Sequence, residues 1–167
     1  VITFDGELTQ IFSRAFYGCK TLKTISLAPS VGGIGGEVFE GCSELISIDM
    51  PNVYTIGARA FVDCDKLENL YGQYVTADHK SVIVDNRLVK VVPAGITSFV
   101  VPESVTIVED GAMLGCKSVE TIKLHEGITY VGKYAFAGSS NLKSINLPSS
   151  MTTIPYQLFQ DCEKLES

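Results

Sequence analysis

Several things are missing from this chain, and each absence removes a class of function. No apolar run approaches the ~18 residues needed to cross a bilayer, although hydrophobic residues fill 46% of its 167 positions, so nothing in it reads as a membrane span. Charge is sparse: charged residues are 19%, the net charge is −6, and the 13 Lys and Arg are scattered. A surface that tracks phosphates needs clustered cations, so nucleic acid is not an expected partner. No two cysteines have Cys-x-x-Cys spacing, which speaks against a metal cluster, and no Asn-x-Ser/Thr acceptor occurs. The stretch opens on Val1 with neither an initiator Met nor a charged-then-apolar leader, so localisation cannot be read from its start.

What the chain has is repetition. Phe16, Phe39, Phe61, Met113, Phe136 and Phe159 follow one another at steps of 23, 22, 52, 23 and 23. Ile11, Ile34, Ile56, Val108, Val131 and Ile154 open the units, and Cys19, Cys42, Cys64, Cys116, Ser139 and Cys162 lie eight residues later. A period of this length marks a solenoid, in which each unit buries its apolar face only against its neighbours.

Each position has a physical role. The segment after the opening aliphatic residue, such as Ile56 to Cys64, is too short for a free-standing helix but predicts two helical turns when packed, with Ala60 and Phe61 facing in. Gly18, Gly41, Asp63, Gly115, Gly138 and Asp161 then sit where the turn must end in a left-handed residue. Leu-x-x-Ile-x-Leu follows, as in Leu22, Ile25, Leu27 and Leu142, Ile145, Leu147. Its last three residues alternate in, out, in, the period of a strand, and stacking them predicts a parallel sheet. Pro51, Pro102 and Pro148 end the strand by withholding a backbone donor, and Val31, Val53, Val105, Ile128 and Met151 return the chain to the core.

These residues resemble the leucine-rich repeat superfamily, specifically the 23-residue BspA-like class of bacterial surface proteins, whose units read Ile-Gly-x-x-Ala-Phe-x-x-Cys-x-x-Leu-x-x-Ile-x-Leu-Pro. The resemblance covers nearly the whole chain. It implies an α/β solenoid over residues 1–167, a leucine-rich repeat array of about six to seven coils with a parallel sheet on its concave face and short helical turns on the other side. It further implies a non-catalytic binding module, without cofactor or metal, at the cell surface or secreted, serving adhesion or partner recognition. A carbohydrate-binding module or a structural spacer of a surface protein is the alternative. A sugar would want a flat aromatic platform, and Tyr71 and Tyr74 are too few to favour it.

One coil is irregular. The step from Ile56 to Val108 is 52, and Ile96, Phe99, Val101, Pro102 and Val105 restore the strand half of a unit within it. In place of its turn stands Ser81 to Val92, two β-rich arms about Asp85-Asn86-Arg87, which predicts an inserted β-hairpin inside an irregular coil of about 72–107.

A catalytic site should break the repeat, and only Gly72 to Gly95 does so. Its Asp78, His79, Lys80 and Asp85 could pair a carboxylate with an imidazole, but on a polar loop such a run reads as solvated, and His125, in a Pro slot, reads as incidental. The cysteines, odd in number and all at one repeat position, read as a packing ladder rather than as disulfides. The outward residues of the strands are the candidate binding face: Asn69 and Tyr71, Asp49, Val100, Thr121 and Lys123, with Tyr74 from the insert. Tyr71 and Val100 are expected side by side on adjacent strands, an apolar centre with a polar rim suited to a protein partner. Both ends read as cut mid-repeat, with Ile2, Phe4 and Leu165 uncapped, so end-to-end self-association is also expected.

Overall fold

The structure, a computed structural model, describes residues 7–166; the exposed roles expected of Ile2 and Phe4 lie outside them. Two-residue strands open the coils: β1 (Gln10–Ile11), β3 (Gly33–Ile34), β5 (Thr55–Ile56), β10 (Ile107–Val108) and β12 (Tyr130–Val131). Three-residue strands carry the Ile-x-Leu half: β2 (Thr24–Ser26), β4 (Ser47–Asp49), β6 (Asn69–Tyr71), β9 (Ser98–Val100), β11 (Thr121–Lys123) and β13 (Ser144–Asn146). The insert is β7 (Ser81–Val84) and β8 (Arg87–Val91), the antiparallel pair, joined through Asp85 and Asn86. Both turn residues have positive φ, 46° and 63°, as a two-residue hairpin turn with the twist of its strands requires.

Coil pairs on coil in parallel and in register. Ile25 lies opposite Ile48 and Ile48 opposite Leu70, while Phe99, Ile122 and Ile145 do the same further on. Each repeat position therefore makes its own ladder. Phe16, Phe39 and Phe61 stack with ring centroids 5.3 and 6.1 Å apart, Phe136 and Phe159 at 5.9 Å, and Met113 is fully buried in the same row.

The expected helical turns do not form: among the described residues there is no helix. The reason lies in where the amides point. In the first coil Arg14 N, Phe16 N and Gly18 N donate to Gly36, Val38 and Glu40 of the next coil, while Ala15 N, Tyr17 N and Cys19 N bond three residues back. Alternate amides are thus committed to the neighbouring coil, which an i to i−4 ladder cannot allow. Left-handed residues recur twice, four apart, in each coil except the fourth. Gly18, Gly41, Asp63, Gly115, Gly138 and Asp161 have φ of 68°, 75°, 57°, 79°, 70° and 56°, as their sequence positions predict. The second set, Arg14, Glu37, Arg59, Gly111, Tyr134 and Gln157, also has positive φ and makes each segment a pair of β-turns with φ > 0 at the third residue.

The cysteines are ladder residues with a hydrogen-bonding role. Cys42, Cys64 and Cys162 direct Sγ at the carbonyls of Phe16, Phe39 and Phe136, one coil back, at 3.1, 2.9 and 3.2 Å. Ser139 replaces the thiol without loss because its hydroxyl reaches Met113 O in the same way. All five thiols are free, and burial pushes those of Cys42 and Cys64 above the ordinary thiol range.

Two coils depart from the pattern. In coil 4, β8 takes the opening strand's place: Leu88 pairs with Val108, and Val91 N donates to Ala112 O. The chain then reaches Ile96 eight residues after Leu88, where coil 3 uses eleven from Ile56 to Leu67, so coil 4 cuts straight across and has no turn. In coil 7, Ile154 does not join the buried aliphatic row but is 61% exposed. Elsewhere the residue after this aliphatic one donates to the previous coil, as Gly35, Gly57 and Gly132 do to Ile11, Ile34 and Val108. Coil 7 has Pro155 there, which carries no N–H, and no strand forms.

Candidate functional site

The three-residue strands place their outer side chains in two rows. One row runs Thr24, Ser47, Asn69 and then Ser98, Thr121, Ser144; the other runs Ser26, Asp49, Tyr71 and then Val100, Lys123, Asn146. Within rows, like positions bond to like: Ser26 Oγ donates to Asp49 Oδ2 at 2.9 Å, and Thr121 Oγ1 to Ser98 Oγ at 2.9 Å. Asn146 accepts from Leu124 N. Apart from Lys123, most of the outer side chains are short and polar, and two pairs of them bond to each other.

Two side chains break that texture. Tyr71 is 42% exposed and Val100 60%. They are not neighbours in a sheet, contrary to the expectation from sequence, because β6 ends one three-stranded sheet and β9 begins another. The insert comes between. Leu70 N donates to His79 O at 2.9 Å, so the insert's first loop takes the seat beside β6 that the next coil would have filled. The His79 ring packs on Tyr71 with centroids 4.7 Å apart, and Lys80 Nζ reaches Glu68 O at 2.6 Å and Asn69 Oδ1 at 3.4 Å. Tyr74 does not join this face: it is half-buried and packs against the first core.

His79 and Lys80 are therefore the additions that sequence reasoning left on a solvated loop. The signal was their place in the one segment that breaks the repeat. No carboxylate–imidazole pair assembles from them. Asp78 accepts from Thr76 Oγ1 at 2.6 Å and from Lys80 N at 3.1 Å, while the His79 ring nitrogen faces Leu70 O. His125 braces its own loop, accepting from Gly127 N at Nδ1 and contacting Pro102 O through Nε2. Among the described residues no group of His, Cys, Asp and Glu is arranged to hold a metal ion.

Against known proteins, the model of the BspA type leucine rich repeat region matches residues 1–80 and 93–167 in six copies, leaving out only the hairpin. The chain belongs to this BspA-type leucine-rich repeat family. Its solenoid resembles that of a leucine rich cell surface protein from Faecalibacterium prausnitzii, at 21% identity and a TM-score of 0.67 over 95% of this chain and 50% of that one. A Treponema pallidum leucine rich repeat protein aligns at 27% identity and a TM-score of 0.57, over 95% of this chain and 72% of that one. The pneumococcal vaccine antigen PcpA aligns at 21% and 0.56, over 86% and 44%. This BspA-type chain thus spans half the length of the F. prausnitzii protein. No curated protein matches it.

Proposed function

We propose that this BspA-type array is a non-catalytic module, displayed on a bacterial surface or secreted, that binds a protein partner through the face of its three-residue strands. The observation that carries the reading is the Tyr71–His79 pair, a solvent-facing aromatic contact on a face made mostly of short polar side chains, two pairs of which bond to each other. Aromatic anchors ringed by polar residues concentrate binding energy in protein interfaces. Asn69, Asp49, Thr121 and Lys123 form the polar surround, and Val100 adds a second apolar point across the insert. The surface location is supported by the F. prausnitzii relative, described as a cell surface protein.

The test is capture of host-matrix and bacterial-surface proteins on immobilised chain, repeated with Tyr71→Ala, Val100→Asp and, as a control away from this face, Tyr130→Ala. The expected result is loss of the captured partner with the first two and retention with the third. A partner held equally by all four proteins would place the site elsewhere, and binding on a glycan array in place of protein capture would favour a carbohydrate-binding module.

A further inference from the structure

The short cut taken by coil 4 leaves a notch on the turn side of the solenoid, away from the three-residue strands. In the regular coils the turn amides of Glu37, Phe39 and Gly41 donate to Ala58, Ala60 and Val62. One coil on, the amides of Arg59, Phe61 and Asp63 make no main-chain hydrogen bond among the described residues, because the turn that should present carbonyls to them is missing. On the far side Ala112 O is taken by Val91 N, but the carbonyls of Asp110 and Leu114 receive no main-chain amide. The two walls touch at one end, where Gly115 lies against Val62 and Lys117 bridges to Asp63 and Asp65 at 2.8 and 3.0 Å.

Away from that end the walls open into a cleft of about 660 Å³. It continues into a second hollow of about 620 Å³ that shares Ala58 and Asp110 with it. The second hollow runs along β5, to whose outer edge no strand pairs among the described residues. Val62, Leu114 and Ala137 line the first part, and Ile56, Val84 and Val89 the second. Acidic groups outnumber basic ones at the first part: Asp63, Asp110, Asp161 and Glu163 against Arg59 and Lys117. The basic pair is already engaged, Arg59 by Glu40 at 2.5 Å and Lys117 by Asp63 and Asp65, which leaves Asp110, Asp161 and Glu163 as the cleft's acidic groups with no ion pair among the described residues.

We propose that this notch binds an extended peptide segment of a partner protein that carries basic side chains. The unpaired amides and carbonyls supply main-chain pairing of the kind used when a peptide adds to an open edge. The apolar lining takes alternate side chains, and the acidic rim selects for Lys or Arg by charge complementarity. The site is independent of the face proposed above.

The test uses the full chain and a labelled heptapeptide of alternating Val and Thr in basic, neutral and acidic versions, with a fourth, basic version N-methylated at alternate amides. Fluorescence anisotropy should show the basic peptide binding about tenfold or more tightly than the neutral one, with the acidic and N-methylated versions weaker still and binding falling as salt is raised. Ala58→Trp, at an exposed position shared by both hollows, should abolish binding while circular dichroism shows the fold intact. Asp161→Asn with Glu163→Gln should weaken the basic peptide alone. Tyr71→Ala should change nothing here, which separates failure of this site from failure of the other. Equal binding of all four peptides, no binding of any, or unaltered binding in Ala58→Trp would overturn the proposal. So would concentration-dependent dimerisation in sedimentation that Ala58→Trp removes, since the occupant would then be a second copy of the chain.

Discussion

Gly18 and Gly57 hold two different positions of the repeat for different reasons, and substitution tells them apart. A Cβ on Gly57 would lie 2.5 Å from Gly36 N, in the backbone of the previous coil, whereas a Cβ on Gly18 meets nothing within 4 Å and the position needs glycine only for its φ of 68°. Gly18→Ala should therefore cost about 1 to 2 kcal/mol, the ordinary penalty of a left-handed residue. Gly57→Ala should cost more, since backbone must shift; equal losses in urea melts would contradict this account. Phe39→Ala, which removes a ring with no exposed surface, should cost about 3 to 5 kcal/mol. Lys90 gives a pH signature. It is 2% exposed, its Nζ bonds to Gly111 O at 2.6 Å, and burial lowers its pKa to about 8 from 10.5. Below pH 8 both folded and unfolded chains hold the proton, and the fold carries the full cost of burying the ammonium. From 8 to 10.5 the unfolded chain binds more protons, so stability from this group rises with pH. The stability difference between Lys90→Met and the parent chain should therefore favour the variant most near pH 7 and shrink by pH 10, and a constant difference would show that Lys90 stays charged. At this scale the Phe and Cys ladders were legible because identity repeats. Lys90 was not, because nothing in Arg87-Leu88-Val89-Lys90-Val91 says that the chain there runs inside.

Among the elements, the strands were legible and the turns were not. A three-residue in–out–in pattern under a fixed period defines a strand, because its side-chain alternation is written in the residues themselves. The segment from Ile56 to Cys64 has a helix-compatible composition, and what forbids the helix is the commitment of alternate amides to the next coil, a tertiary fact. The left-handed residue three places after the opening aliphatic one is equally hidden, since Arg14, Glu37, Arg59, Tyr134 and Gln157 share no chemistry that favours it. Pro155 is the instructive exception: its missing N–H is legible in the sequence, and it keeps outside the aliphatic row an Ile154 that the period alone would place within it. Pro155→Gly restores the donor that Gly132 supplies one coil earlier. It should allow a strand to pair with β12, protect the amides of that strand from hydrogen exchange and bring Ile154 inward. Unchanged exchange at 153–156 would mean that the proline is not what holds the coil open.

The whole molecule is one solenoid by sequence, but its hydrogen-bonded ladders all stop or change partner at coil 4. The three-residue strands form two sheets, β5 ends one of the two-residue sheets, and the turn ladder has its gap at the notch. The core divides in the same place. Residues from Ile11 to Leu70 form one cluster with Val82, Val89 and Val92, whereas Leu88 and Val91 belong with the second, which runs to Leu158; half-buried Ile96 packs against both. Neighbouring side chains of β8 are thus shared out between two cores, so the hairpin is both the joint and the seam. In a repeat protein stability is a sum over units and their interfaces, and an interface with fewer ladder bonds should limit how far a local loss spreads. Phe39→Ala should then speed amide exchange across coils 1 to 3 while leaving coils 5 and 6 near their parent rates, and Phe136→Ala should do the reverse. The readout is hydrogen exchange by mass spectrometry under native conditions, with peptides from 81–92 marking the boundary. If either substitution loosens both halves alike, the seam transmits cooperativity in full and the two cores unfold as one.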